Sequence, residues 1–283
     1  MKSIAVTGAS GKLGSWVVNE LLEYGYRVIA LDQTRSNKLK CEQRIIDLTK
    51  LGEVIGGLKG VDAVIHLAAI PAPVMFPHEV IFNNNVMATY NVLEAVSILK
   101  IPKVVIGSSE SAYGFCWAPQ PFSPLYLPVD EEHPLLPQEC YGLSKEINER
   151  TGAMFNRRAG TQVIAMRFSL ILTIEEYAAM QERISKPENF KRILWSYIDI
   201  RDAAAACRIG IEADDCNYVS LNVTANDTLS DWETNRLLAE FYSDVTDLRC
   251  SFIGREAVVS NELTSRILNW RPRYSWKESL TVS

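Results

Sequence analysis

Two side chains four residues apart carry the first chemical signal. Tyr141-Gly142-Leu143-Ser144-Lys145 sets a phenol and an ammonium at i and i+4, on one face of a helix. A free tyrosine ionises near pH ~10 and is a poor base at neutrality. An ammonium beside it favours the phenolate and lowers that pKa, which suits the pair to taking a proton from an alcohol. Standing alone, the spacing is more often that of an ordinary surface helix. A second candidate group is Ser108-Ser109-Glu110-Ser111-Ala112-Tyr113-Gly114, directly after an apolar run. A serine hydroxyl there can hold the oxygen that gains or loses the proton, or it can simply cap a helix or fill a turn.

Removing a proton from an alcohol oxidises nothing unless a hydride leaves too, and the N-terminus supplies a place for its acceptor. Thr7-Gly8-Ala9-Ser10-Gly11-Lys12-Leu13-Gly14 follows the apolar run Ser3–Thr7 and opens the amphipathic stretch Lys12–Tyr24. Glycines let the chain turn sharply and bring backbone N–H groups onto a pyrophosphate. The start of the helix adds a favourable dipole. A strand before and a helix after are the context a dinucleotide loop needs. Asp32 closes the next apolar run, Arg27–Leu31. Its carboxylate can accept the adenosine ribose hydroxyls and would repel a 2′-phosphate, so NAD is favoured over NADP. Arg35 is a possible phosphate partner and keeps NADP open. Asp47 and Leu48 offer a carboxylate and an apolar cap near the adenine, a weak sign taken alone.

These groups need elements to hold them. Short strands are expected over Ser3–Thr7, Arg27–Leu31, Gln43–Ile46, Ala63–His66, Lys103–Ile106, Gln162–Met166 and Tyr218–Val223. Helices are expected over Lys12–Tyr24, Glu79–Leu99, Tyr141–Arg158, Asp199–Ala213, Ser230–Tyr242 and, last, Ser260–Leu268. Residues 115–137 hold six of the twelve prolines and read as a long irregular loop. Strand–helix alternation implies an α/β fold, a Rossmann-type doubly wound parallel sheet with ligands at the carboxyl ends of its strands. Residues 1–168 are expected to form the dinucleotide-binding domain with the Tyr/Lys pair. Residues 169–283 are expected to form mainly a small substrate lobe, with some elements returning to the first domain.

Composition narrows the partners. The chain is 47% hydrophobic and 22% charged, with net charge −5, so a large core is available and a nucleic-acid partner is disfavoured. No apolar run approaches the roughly 20 residues of a membrane helix. The opening Met1-Lys2-Ser3-Ile4 runs straight into a strand, and six cysteines lack metal-ligand spacing; the expectation is a reduced cytoplasmic protein with no metal site. The three histidines, His66, His78 and His133, do not cluster.

Taken together, TGASGKLG, His66-Leu67-Ala68-Ala69, the Asn84–Asn91 stretch, SSESAYG, YGLSK, Tyr197–Ala204 and Asn269-Trp270-Arg271-Pro272 resemble the extended short-chain dehydrogenase/reductases, the NAD-dependent epimerase/dehydratase group, over nearly the whole chain. The resemblance implies that Gly8, Ser10, Gly11, Lys12, Leu13 and Gly14 cradle the pyrophosphate and that Asp32 holds the ribose. Asp47 and Leu48 would flank the adenine, and Leu67, Ala68, Ala69, Asn85 and Ser169 would contact the rest of NAD. Tyr141 becomes the base, Lys145 its partner and Ser109 the hydroxyl. The Asp-Glu pair of the group's dehydratases is replaced by Glu110-Ser111, so dehydration is disfavoured; both remain candidate substrate contacts. Only 35 positions separate Arg167 from Asp202, which implies a short substrate lobe with little room for a nucleotide. The chain is therefore similar to compact, uronate dehydrogenase-like members acting on a small sugar or sugar acid; Arg167 and Arg201 are candidate carboxylate ligands, and arginines so placed are at least as often structural. A (nucleotide-)sugar epimerase is the alternative, and a dinucleotide-binding sensor without chemistry is a third reading. Relatives often pair through the helices over Glu79–Leu99 and Tyr141–Arg158, so a homodimer is expected.

Overall fold

In a computed structural model, which describes residues 2–214 and 216–281, the strands that carry the motifs lie side by side. The central strand β1 (Ser3–Thr7) is buried along its whole length. An unbroken apolar run suits a parallel strand covered on both faces. It pairs in parallel with β2 (Arg27–Asp32) on one side and β4 (Ala63–His66) on the other. With β3 (Glu42–Ile45), β5 (Lys103–Ser109), β6 (Gln162–Phe168) and β9 (Tyr218–Val223), the sheet has the order β3-β2-β1-β4-β5-β6-β9. The chain leaves β3 at one edge and re-enters beyond β1 at β4. The crevice opened by that reversal is where such sheets bind ligands.

Helices cover both faces. On one face, α1 (Lys12–Glu23) packs with α6 (Ile200–Glu212), contributing Val17, Val18, Leu21, Ala203, Cys207 and Ile211 to one core. On the other face, α2 (Leu51–Leu58), α3 (His78–Ile98) and α4 (Cys140–Ala159) bury Val54, Val92, Val96 and Phe155 against the sheet. Helix α2 has no counterpart among the expected elements: eight residues with three glycines give little periodic signal.

β5 and β6 both run beyond the expected ends. Their register pairs Ser108 with Arg167 and Ser109 with Phe168. Strand pairing thus continues into polar residues that alternation alone would end.

A second core collects α5 (Ile174–Ile184), α7 (Thr234–Phe241), α9 (Trp276–Thr281) and the short parallel pair β7 (Leu170–Leu172) and β8 (Tyr197–Asp199). Tyr113, Phe115, Leu127 and Val129 belong to the same core. The proline-rich segment is therefore packed into the lobe, and parallel bridges join Leu127 to Leu248 and Val129 to Val259. The expected helix over Ser230–Tyr242 is shorter. The one expected last, now α8 (Glu262–Leu268), is followed by α9. Elements β7, α5, β8 and α9 are additions to those that periodicity predicts. For α5 a signal exists: Thr173 and Glu176 form a capping box, the T-x-x-E pattern of a helix start.

Candidate active site

The carboxyl ends of the sheet open into a cleft of about 1300 Å³. Its floor is the glycine-rich loop. Gly8 has φ +66°, and a Cβ there would meet the Ala68 backbone at 2.7 Å; a Cβ on Gly14 would meet the Gly8 carbonyl at 2.1 Å. Only glycine allows the loop, the start of α1 and the β4 turn to close this tightly. Asp32 accepts the Ser10 N–H at 2.9 Å and the Gln33 N–H at 2.7 Å, so its carboxylate stands over the same loop. Leu48, Leu67, Ala68 and Ala69 line the adjoining wall.

The β4 turn is held from behind by a directional chain. The Ala68 N–H donates to Thr7 Oγ1, and Thr89 Oγ1 donates to the Asn85 carbonyl. His66 sits between these hydroxyls, Nδ1 at 2.7 Å from Thr7 and Nε2 at 3.0 Å from Thr89. Since the Thr89 proton is committed, His66 Nε2 must donate and Nδ1 must accept. Burial keeps the ring neutral, its pKa depressed to about 3.

Tyr141, Lys145 and Ser109 converge on the cleft. Helix α4 begins where Glu139 accepts the Tyr141 and Gly142 N–H groups, which presents Tyr141 in the first turn. The Lys145 ammonium lies 5.5 Å from the Tyr141 ring centroid and donates to the Gly107 carbonyl at 2.7 Å. Burial lowers the Lys145 pKa to about 8, opposed by Glu149. The Tyr141 phenol differs from expectation. Burial raises its pKa, and the group that favours its ionised form is the nearby Ser109 hydroxyl. In this arrangement the pair is assembled with its phenol protonated.

Not every expected residue reaches the cleft. Asp47 accepts the Thr49 N–H and hydroxyl and caps a turn beside Leu48. Asn85 is fully buried and grips both the N–H and the carbonyl of Ile70; it fixes the wall from behind without lining it. Arg167 is a correction. It forms a bidentate pair with Glu149 and also donates to Tyr113, beneath the sheet end and away from the cleft. A guanidinium with its fork filled by a buried carboxylate cannot also take a substrate carboxylate. Arg201 is likewise bound to Asp199 and stacked on Tyr274. Ser169 lines the cleft, but its N–H is already donated to Val223. Glu110 and Ser111 do line the cleft.

Residues 4–217 match the family model described as NAD dependent epimerase/dehydratase family. The chain belongs to this family. A putative UDP-glucose 4-epimerase of Methanocaldococcus jannaschii is 38% identical over 180 residues, 59% of this chain and 55% of that protein. An L-arabinose 1-dehydrogenase (NAD(P)(+)) of Haloferax volcanii is 29% identical over 248 residues, 84% of this chain and 95% of that one. The chain thus spans about half the length of the UDP-glucose 4-epimerases it matches. Among solved structures, a short-chain dehydrogenase/reductase superfamily protein from Agrobacterium tumefaciens with bound NAD has TM-score 0.78 at 22% identity, over 99% of this chain and 95% of that one. A mutated uronate dehydrogenase has TM-score 0.71 at 20% identity, over 100% and 86%. At these identities the likeness is one of fold.

NAD is the cofactor of this epimerase/dehydratase family, and the cleft offers it the glycine loop and the Asp32 carboxylate. Several lining residues have no counterpart among the sequence motifs. Phe76, Cys116 and Trp117 come from loops, and Arg183, Lys191 and Arg192 come from the lobe. No spacing rule marks those three cations, because periodicity assigns no element to the segment that carries them.

Proposed function

We propose that this protein is an NAD-dependent dehydrogenase acting on a hydroxyl carbon of a small, anionic carbohydrate. The observation that carries the reading is the convergence of Ser109, Tyr141 and Lys145 on one cleft, with the Lys145 ammonium 5.5 Å from the Tyr141 ring centroid. Ser109 and Tyr141 hold the substrate hydroxyl from two sides; Tyr141 first releases its own phenolic proton to solvent, and the phenolate then takes the proton of the substrate hydroxyl. The Lys145 charge offsets the phenolate that forms before the Tyr141 proton is replaced. NAD, when bound, supplies the hydride acceptor. Placement of the reacting carbon is the larger part of the task, and the lobe provides it. Arg183, Lys191 and Arg192 give the lobe side of the cleft a positive face suited to a sugar carboxylate.

An epimerase reading is also supported, by the 38% identity to a putative UDP-glucose 4-epimerase and because the same cations suit a pyrophosphate. NADH absorbance with glucuronate, galacturonate, arabinose and galactose tests the first reading, and chromatography of UDP-glucose and UDP-galactose tests the second. Net NADH from a free sugar that disappears in Tyr141→Phe supports the dehydrogenase. Interconverted nucleotide-sugar without net NADH would replace it.

Two wider properties belong to the same proposal. Val80, Met87, Tyr90 and Ile98 of α3 and Leu143 of α4 are exposed, an apolar stripe suited to a homodimer. Six free cysteines suit a reducing cytoplasm, and among the described residues no helix is long and apolar enough to cross a membrane.

A further inference from the structure

Glu110 follows Ser109 directly, starts the short turn Glu110–Tyr113 and lines the cleft, with only 8% of its surface exposed. Among the described residues no cation pairs with it. Its partner is Ser196, which sits just before β8 in the lobe. Ser196 Oγ also lies 2.6 Å from the Ile193 carbonyl. A serine has one hydroxyl hydrogen, and the Ile193 carbonyl can only accept. If Glu110 were a carboxylate, two acceptors would compete for that one hydrogen, and one of two buried contacts would face lone pair to lone pair. Both contacts are satisfied when Glu110 carries a proton. Glu110 Oε2–H then donates to Ser196, and Ser196 donates to Ile193.

We propose that Glu110 works as an uncharged carboxylic acid whose free oxygen accepts a hydrogen bond from a substrate hydroxyl next to the carbon being oxidised, making it a specificity-determining residue. The proposal deepens the dehydrogenase reading and rests on it for the substrate's identity. A carboxyl at this place must be neutral for two reasons. An ionised Glu110 would oppose phenolate formation at Tyr141 and the Cys116 thiolate, both of which feel its charge. It would also repel an anionic sugar drawn in by Arg183, Lys191 and Arg192. The remaining charged groups lining the cleft are Lys12 of α1, Asp32 of β2, Lys145 of α4 and Glu188 of the lobe. Burial agrees with the proton count, pushing the Glu110 pKa up to about 8 against the Ser196 hydroxyl first, then the Ser169 hydroxyl and the Leu170 N–H. The assignment also explains why a carboxyl is tolerated beside the base: without its charge it is a polar, planar acceptor like an amide, fixed by the lobe.

The test uses the full chain without cofactor or substrate first. Infrared difference spectra across a pH titration of wild type and Glu110→Gln should contain a protonated-carboxylic-acid carbonyl band in wild type at neutral pH. The band should be lost with a midpoint about pH 8 and be missing from the variant. A band that is absent at neutral pH, or that titrates in the ordinary carboxylate range, would overturn the proposal. With the panel sugar that turns over fastest, Glu110→Gln should lose ~10-fold or less in kcat/KM. Glu110→Ala should lose on the order of 100-fold, chiefly in KM. Glutamine and alanine variants that are equally impaired would likewise overturn it. A clear band together with no turnover of any free sugar would fault the dehydrogenase reading alone and leave the protonated Glu110 standing.

Discussion

At the scale of the residue, the polar groups around this cleft are set by burial more than by neighbouring charge. Tyr141 is the plainest case. The i, i+4 spacing predicts an ammonium that lowers its pKa, yet enclosure raises it and Ser109 is what favours the phenolate. Replacing Tyr141 by Phe should cut turnover by ~10²–10⁴ while NAD binding, read by fluorescence titration, changes little; equal loss of both would mean the phenol serves binding. Glu110 makes a separate prediction about stability. Its folded pKa, about 8, lies above the 4.5 of a free glutamate side chain. The folded chain therefore holds the extra proton between those values, and the contribution is full below the lower value and lost as pH rises through the upper. Melting temperatures of Glu110→Gln and wild type should diverge in the variant's favour between about pH 5 and pH 8. The difference should amount to a few kcal/mol, since each tenfold change in an acidity constant is worth about 1.4 kcal/mol. A difference that stays flat across that range would count against a raised pKa.

At the scale of the element, the parts of the site legible in sequence are those built by a local rule. TGASGKLG, Asp32 and Tyr141/Lys145 each belong to one strand end or one helix turn, and each lands on the cleft. Asn85 and Arg167 mislead because their neighbours in space, Ile70 and Glu149, are set by packing that no local pattern encodes. The lobe is the least legible, since its strands are three residues long and its cations sit between them. The tightness of the glycine loop gives a prediction: Gly14→Ala puts a methyl 2.1 Å from the Gly8 carbonyl. Overpacking of ~1–3 kcal/mol should appear as ~10-fold or more weaker NAD binding by calorimetry, and unchanged affinity would show that the loop can spread. The proline-rich segment is anchored by His133, whose Nε2 accepts the Leu125 N–H while Tyr113, Phe115 and Tyr126 pack around the ring. His133→Ala leaves that N–H without its acceptor and should cost ~1–3 kcal/mol, read as a lower melting temperature and faster proteolysis within residues 115–137.

At the scale of the whole molecule, the exposed stripe on α3 and α4 carries the proposed self-association. Met87→Glu with Tyr90→Glu places like charges across any two-fold contact through that face, where desolvating them is costly. Light scattering should read a dimer for wild type and a monomer for the double variant with its circular dichroism intact; a variant that remains dimeric would move the interface elsewhere. The sheet and the lobe are threaded differently. Six of the seven sheet strands are complete by Phe168, and the seventh only adds at an edge. The lobe core joins Phe115 and Val129 to Trp276, almost the full remaining length of chain. On a ribosome, where domains form as their residues emerge, six strands of the sheet are available early, while the core that α1 shares with α6 waits for Trp270 and the lobe core waits for Trp276. A nascent chain stalled between Trp270 and Trp276 would therefore carry a complete sheet core while the lobe core was still open.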